Sequence, residues 1–318
     1  MSENATSARV LGCDVGKDSV VVFDSLTATT QTVKNTVAAL TRALDHLERD
    51  TLVVCEATGG YETALLTTAV TLGLPVHRGD PRKISAFLRS LRGHGKTDTL
   101  DARGLTRYGR ERHDELSRWQ PPAKAQQALR QLVRLRTDLV ADRASYVRRL
   151  KAPSASVDKR HIQSLIKSFD RRIKAVEADI AEHLASDDRL HRTVHEIQKI
   201  PGCGPITAVT LAALMPELGQ LSRRQAASLA GLAPHPKDSG KSKGYRSVKG
   251  GRQDLRAVLF MAAMAARRYN PDLRAFHLKL IQNGKKPIVA IIAVARKLIT
   301  IINAKLRDAF FQPLQQLS

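Results

Sequence analysis

Short β-branched runs alternating with segments of helical period, across residues 9–91, restrict the fold of this 318-residue chain more than any other feature. Val10-Leu11-Gly12-Cys13-Asp14 and Ser19-Val20-Val21-Val22-Phe23 flank a Gly16-Lys17-Asp18 break, the pattern of a hairpin. Residues 35–47 then place Val37, Leu40, Leu44 and Leu47 at helical spacing. The run Thr51-Leu52-Val53-Val54-Cys55 ends at Glu56 and the Gly59-Gly60 break. Helix over 61–72, strand over 74–77 and helix over 81–91 complete the series. A hairpin leading into β/α alternation predicts an α/β domain with a mixed sheet. The Trp119-Gln120-Pro121-Pro122 punctuation sets its limits at 1–118.

The middle of the chain has a different period. Ile162, Ile166, Phe169, Ile173, Val176 and Ile180 repeat as the a and d positions of a coiled-coil seam. An upstream helix offers Leu129, Leu132, Leu135 and Leu139, and Pro153-Ser154-Ala155-Ser156 separates the two. Residues 119–190 therefore read as an antiparallel helical hairpin or an arm that pairs between subunits. Packing within a four-helix unit explains the same spacing. Residues 191–318 read as an all-α basic domain, with a strong helix over 253–268 and a very apolar one from Pro287 through Ile302.

Charge separates these regions. The chain carries 52 Lys and Arg against 30 Asp and Glu, a formal charge of +22. Residues 1–60 hold five basic and eight acidic groups, so the rest carries +25. Such a field favours a polyanionic partner through counterion release. The longest purely apolar run, 288–295, falls far short of the roughly 20 residues of a membrane span. No signal-peptide pattern opens the chain. Cys13, Cys55 and Cys203 are odd in number and far apart, which disfavours a disulfide framework or a cysteine zinc site and leads us to expect reduced, cytoplasmic thiols.

The acids of the first domain carry the chemistry. Asp14 and Glu56 close two predicted strands, where ligands bind in α/β sheets. In Lys96-Thr97-Asp98-Thr99-Leu100-Asp101-Ala102, a helix start would put Asp98 and Asp101 on one face. Each acid alone reads equally as a cap or turn residue. As a converging set they would repel unless a hard divalent cation, Mg2+ or Mn2+, neutralised them.

Three segments carry a resemblance: Gly12-Cys13-Asp14-Val15-Gly16-Lys17, Glu56-Ala57-Thr58-Gly59-Gly60-Tyr61, and the block containing Asp98 and Asp101. In order and spacing the chain resembles the DEDD transposases of the insertion sequence 110 family, over nearly its whole length. The resemblance implies a RuvC-like, RNase H-like first domain with Asp14, Glu56, Asp98 and Asp101 as its metal-binding tetrad. It also implies a nucleophilic serine at Ser239, a covalent phosphoserine intermediate on DNA, and a bridge RNA that selects donor and target DNA. Recombination of two duplexes calls for a homo-oligomer, a dimer or tetramer, with no membrane partner.

Two further stretches point to nucleic acid. Ile200-Pro201-Gly202-Cys203-Gly204-Pro205 resembles a helix-hairpin-helix turn, in which Gly202 and Gly204 would let backbone approach a phosphate. Between Pro234 and Arg256, Lys237, Lys241, Lys243, Arg246, Lys249, Arg252 and Arg256 stand on a glycine-rich loop, the chemistry of a phosphate-backbone contact. Ser242 and Ser247 rival Ser239 within it. Two other functions fit the same residues: a metal-dependent junction nuclease using water, and a non-catalytic architectural DNA binder.

Overall fold

A computed structural model describes residues 9–91, 97–152, 158–235 and 247–310. The chain divides into two compact units between Pro122 and Ala123.

The first unit is built on a five-stranded mixed sheet. Its strands are β1 (Val10–Val15), β2 (Ser19–Asp24), β3 (Thr30–Lys34), β4 (Leu52–Glu56) and β5 (Val76–Gly79), in the order β3-β2-β1-β4-β5. β1 pairs antiparallel with β2 and parallel with β4, so it lies at the centre. The predicted hairpin and β/α alternation are present, and the sheet fits the α/β domain that the resemblance implies. Nothing in the sequence announces β3, because its Thr-Gln-Thr-Val-Lys run is a largely exposed edge with no apolar period.

Helices cover both faces. α1 (Val37–Leu44) and α2 (Thr63–Thr71) pack with Leu11, Cys13, Val53 and Cys55 on one face. On the other, α3 (Pro81–Leu91) and α4 (Asp98–Glu111) pack with Val10, Leu52 and Val54 through Ile84, Leu88, Leu105 and Tyr108. Side chains alternate across a strand, so the odd and even residues of β1 and β4 feed two separate cores.

In the second unit, α5 (Lys124–Leu150) and α6 (Lys159–Ala185) form an antiparallel hairpin. The cross-links show the direction: Arg136 pairs with Glu177, Arg143 with Asp170, and the Tyr146 ring meets Phe169. Ile162, Val176 and Ile180 of the expected seam are buried, while Leu135 is 48% exposed and Val133 takes the buried position. The hairpin base shares one core with the helices that follow. These are α7 (Asp188–Gln198), α8 (Pro205–Leu214), α9 (Arg223–Leu229), α10 (Gln253–Tyr269), α11 (Pro271–Gln282) and α12 (Pro287–Phe310). A two-residue ribbon, β6 (Pro234–His235) with β7 (Ser247–Val248), precedes α10. α12 runs past the expected end at Ile302 and is, by length and composition, apolar enough to cross a membrane. Its buried face, from Ala290 to Leu306, belongs to the core. There the Asn303 side chain accepts from Gly219 N–H and donates to the Leu221 carbonyl.

Candidate active site

Strand register brings the first two acids together. Cys13 and Cys55 are partners on parallel β1 and β4, and Asp14 and Glu56 each come next in sequence. Both leave the sheet on the even face, the one covered by α4. Gly12 sits two residues before Asp14 on that face. A Cβ there would lie 2.5 Å from Thr106 N and closer still to the Ala102 carbonyl oxygen. A Cβ on Gly109, in the last turn of the same helix, would meet Val10 Cγ1 at 2.7 Å and Val54 Cγ2 at 2.8 Å. As α4 advances from Ala102 to Gly109, its contacts on β1 thus retreat from Gly12 to Val10. Its first turn, carrying Asp98 and Asp101, extends toward the end of β1 where Asp14 stands. Thr106 Oγ1 fixes this approach by donating within bonding distance of the Phe23 and Ala102 carbonyls, at 3.2 and 3.0 Å.

That first turn forms for local reasons. Thr97 is the N-cap, its hydroxyl accepting from Leu100 N–H. Asp98 and Asp101 fall where the helix dipole favours negative charge. Asp101 is buried, Asp14 and Glu56 are half-buried, and Asp98 is exposed.

Two braces that the sequence does not reveal hold the loops beyond the strands. Asn35 Nδ2 donates to the Gly16 carbonyl at 2.9 Å and to the Tyr61 carbonyl at 3.0 Å, tying the turn after Asp14 to the loop after Glu56. Glu62, 1% exposed, accepts from Thr58 N–H, Gly60 N–H and the Arg78 guanidinium. Burial pushes the Glu62 carboxyl up, but these donors prevail and hold it below its ordinary value. Burial raises the Cys13 thiol well above its usual range, with Cys55 and Asp14 adding to the effect.

The oxygen-only donor set of the four acids suits a hard divalent cation. Backbone geometry carries Asp14 and Glu56 to one end and one face of the sheet and directs the first turn of α4, with Asp98 and Asp101, toward them. Among the described residues, however, no group of three or more His, Cys, Asp or Glu side chains is placed to hold an ion. The donors fit Mg2+ or Mn2+ in chemistry, without forming a closed cage among the described residues.

In the second unit, the turn between α7 and α8 answers a packing demand. Gly202 has φ +100°, and a Cβ on it would lie 2.5 Å from both Ala266 Cα and Cβ of α10. Gly204, the N-cap of α8, faces open space. Of the basic loop, Lys237, Lys241, Lys243 and Arg246 lie outside the described residues, as do Ser239 and Ser242. Ser247 is on β7. Lys249 is exposed. Arg252 and Arg256, expected to contact phosphate, have partners inside the unit. Arg252 forms a two-pronged pair with Glu217, at 3.0 and 2.6 Å, and also donates to the Leu214 carbonyl. Burial raises the Glu217 carboxyl, but the Arg252 guanidinium outweighs it and holds the carboxyl low. Arg256 donates to the Gly250 carbonyl, pinning the glycine turn before α10. Sequence alone registers such charges without their partners.

The chain is similar to known proteins along most of its length. A family model described as a transposase matches residues 11–153, and one described as the transposase IS116/IS110/IS902 family matches residues 194–278. A pilin gene-inverting protein of Moraxella lacunata is 32% identical over 273 residues, covering 83% of this chain and 82% of that protein. An uncharacterized 44.8 kDa protein of insertion element IS116 from Streptomyces clavuligerus is 25% identical over 326 residues, covering 80% and 82%. Among solved structures, T. thermophilus RuvC in complex with a Holliday junction substrate is 14% identical and covers 35% of this chain and 99% of that one. Its TM-score of 0.28 is too slight a likeness to argue from.

Proposed function

The chain belongs to the IS110 family of DEDD transposases and is an enzyme that recombines DNA, and on that premise we propose that it cuts and rejoins strands through a phosphoserine linkage at Ser239. One observation supports the catalytic role of the acids above all. Asp14 and Glu56 end adjacent parallel strands on the face toward which α4 extends Asp98 and Asp101.

In this reading Asp14, Glu56, Asp98 and Asp101 hold Mg2+ or Mn2+. Once bound, the ion supplies activation of the attacking oxygen and neutralisation of charge on the in-line transition state. Asn35 and the Glu62–Arg78 pair keep the two strand-end loops from drifting, so that the carboxylates meet the phosphate with little reorganisation. The Ser239 oxygen forms a bond to phosphorus as the strand's P–O bond breaks, the departing strand keeping a hydroxyl. A hydroxyl from another strand later attacks the phosphoseryl group, restores the phosphodiester and frees the serine. One phosphoester bond replaces another at each step, so no nucleotide hydrolysis is needed.

The partners in this reading are donor and target DNA, a bridge RNA encoded by the element, and further copies of the chain. Guide pairing would read sequence and leave the protein chiefly backbone contacts, in keeping with an aromatic content of 4%. The inverting relatives favour rearrangement between two sites on one molecule as a second form of the same chemistry.

The test is trapping on denaturing gels with DNA carrying the element's ends. The expected result is a protein–DNA adduct that is lost in Ser239→Ala, and lost turnover with retained binding in Asp14→Asn. Full strand cleavage by Ser239→Ala would replace the serine with water. Unchanged turnover in Asp14→Asn would remove the carboxylates from the reaction.

A further inference from the structure

Within α4, every residue from Asp101 to Arg110 is buried except at positions 103, 107 and 110, and all three of those are arginine. Spacings of four and three residues set them on one face of the helix. They span about 10 Å at 1.5 Å per residue, about three base-pair steps of 3.4 Å. The face they line is concave. A groove of about 620 Å3 opens between α4 and the end of β2, with Phe23, Ser25 and Ala28 as its other wall. The Arg103 guanidinium lies over the Phe23 ring, 5.1 Å from its centroid. Phe23 is the register partner of Gly12, so the groove borders the sheet face that carries Asp14. Glu111 is the sole carboxylate lining the groove among the described residues, and Arg107 engages it. Three arginines thus stand against one carboxylate among the described residues that line it.

We propose that Arg103, Arg107 and Arg110 form a phosphate track for the duplex DNA that leads into the carboxylate end of the sheet. Charge and spacing fit a polyanionic backbone, and guanidinium forks suit phosphate oxygens. The choice of DNA over RNA comes from α4 itself. The helix that bears the arginines also bears Asp98 and Asp101, so a polymer seated on the track is held in fixed register with those acids. For its direction toward the acids and its assignment to DNA, the inference rests on the proposed function; the binding of a polyanion does not.

The test uses the full-length chain and a labelled duplex of arbitrary sequence, without added metal, titrated with salt. Arg103→Gln/Arg107→Gln/Arg110→Gln should lower affinity and flatten the plot of log K against log salt by about 0.9 for each phosphate no longer neutralised, about 2.7 in all. Binding of a structured RNA of similar length should keep its slope. An unchanged DNA slope in a folded variant would overturn the track, and a fall confined to RNA would overturn its assignment to DNA. Should the triple variant fail to fold, Arg103→Gln/Arg110→Gln keeps the Arg107–Glu111 pair and should lower the slope by about 1.8. Repeating the titration in an Asp14→Asn background separates the two readings. Turnover by Asp14→Asn would defeat the catalytic role of the acids and leave the slope result standing.

Discussion

Replacing Gly12 with alanine tests how the central strand and α4 create the site. The added Cβ would sit 2.5 Å from Thr106 N, where ordinary contact begins at 3.4 Å, and the nearer Ala102 oxygen is also backbone. Neither can rotate away, so α4 must retreat by more than about 0.9 Å or β1 must bend. Overpacking of this kind costs about 1–3 kcal/mol. The retreat also stretches the Thr106 bond to Phe23, at about 1 kcal/mol. Restricting the unfolded chain returns about 0.4–1 kcal/mol. A net loss of about 1–4 kcal/mol corresponds to about 4–16 °C in a domain of this size. Asp101 adjoins Ala102, and a displacement of about 1 Å at a reacting group can cost about 100-fold in rate. Gly104→Ala is the control, since its Cβ would meet only the terminal Cδ2 of Leu88, and alanine favours the helix by about 1 kcal/mol. Thermal unfolding and strand-exchange rate should separate the two variants sharply. A Gly12→Ala protein that melts with the wild type and recombines at its rate would refute the argument that this close approach sets the acids.

The remaining predictions use the braces, the thiols and the second unit. The Glu62 carboxyl is depressed below its unfolded value of about 4.3, so its stabilisation is complete above that pH and lost as pH falls through the folded value. The melting gap between wild type and Glu62→Gln should therefore be wide at neutral pH and narrow below about pH 4; a gap independent of pH would contradict it. Burial pushes the Cys55 and Cys203 thiols up to about 12 and Cys13 well up. A thiol reagent at neutral pH should spare all three in the folded protein and label them on unfolding, and rapid native labelling would disprove this. Gly202→Ala should lower the melting temperature through its left-handed φ and the collision with Ala266, whereas Gly204→Ala should fold normally. Equal melting of the two would show that α10 does not press on the turn.

What is legible in the sequence is local. Hydrophobic period announces β1, β2, β4, the helices of the first unit up to α3, the seam, α10 and α12, because burial on one face of an element leaves its mark along the chain. Asp98 and Asp101 are readable as one face of a helical first turn, since i and i+3 proximity needs only the helix. Leu135 is misplaced by the pattern because, six residues after buried Leu129, it lies about 120° round the helix from it, and Val133, four residues after Leu129, faces the core instead. β3 leaves no mark, since an exposed edge strand needs no apolar period.

Meetings between distant residues are decided by tertiary structure alone. Asn35 joins carbonyls at positions 16 and 61, Arg78 returns to Glu62, and Arg252 is matched by Glu217. None of these spacings follows from a period or a motif. The chain by itself determined which residues are acids, where its strands end and which helix face turns inward. Register and close packing alone determined that Asp14 and Glu56 share a face and that Gly12 admits α4 beside them, because side-chain direction across a sheet is fixed only when the strands pair.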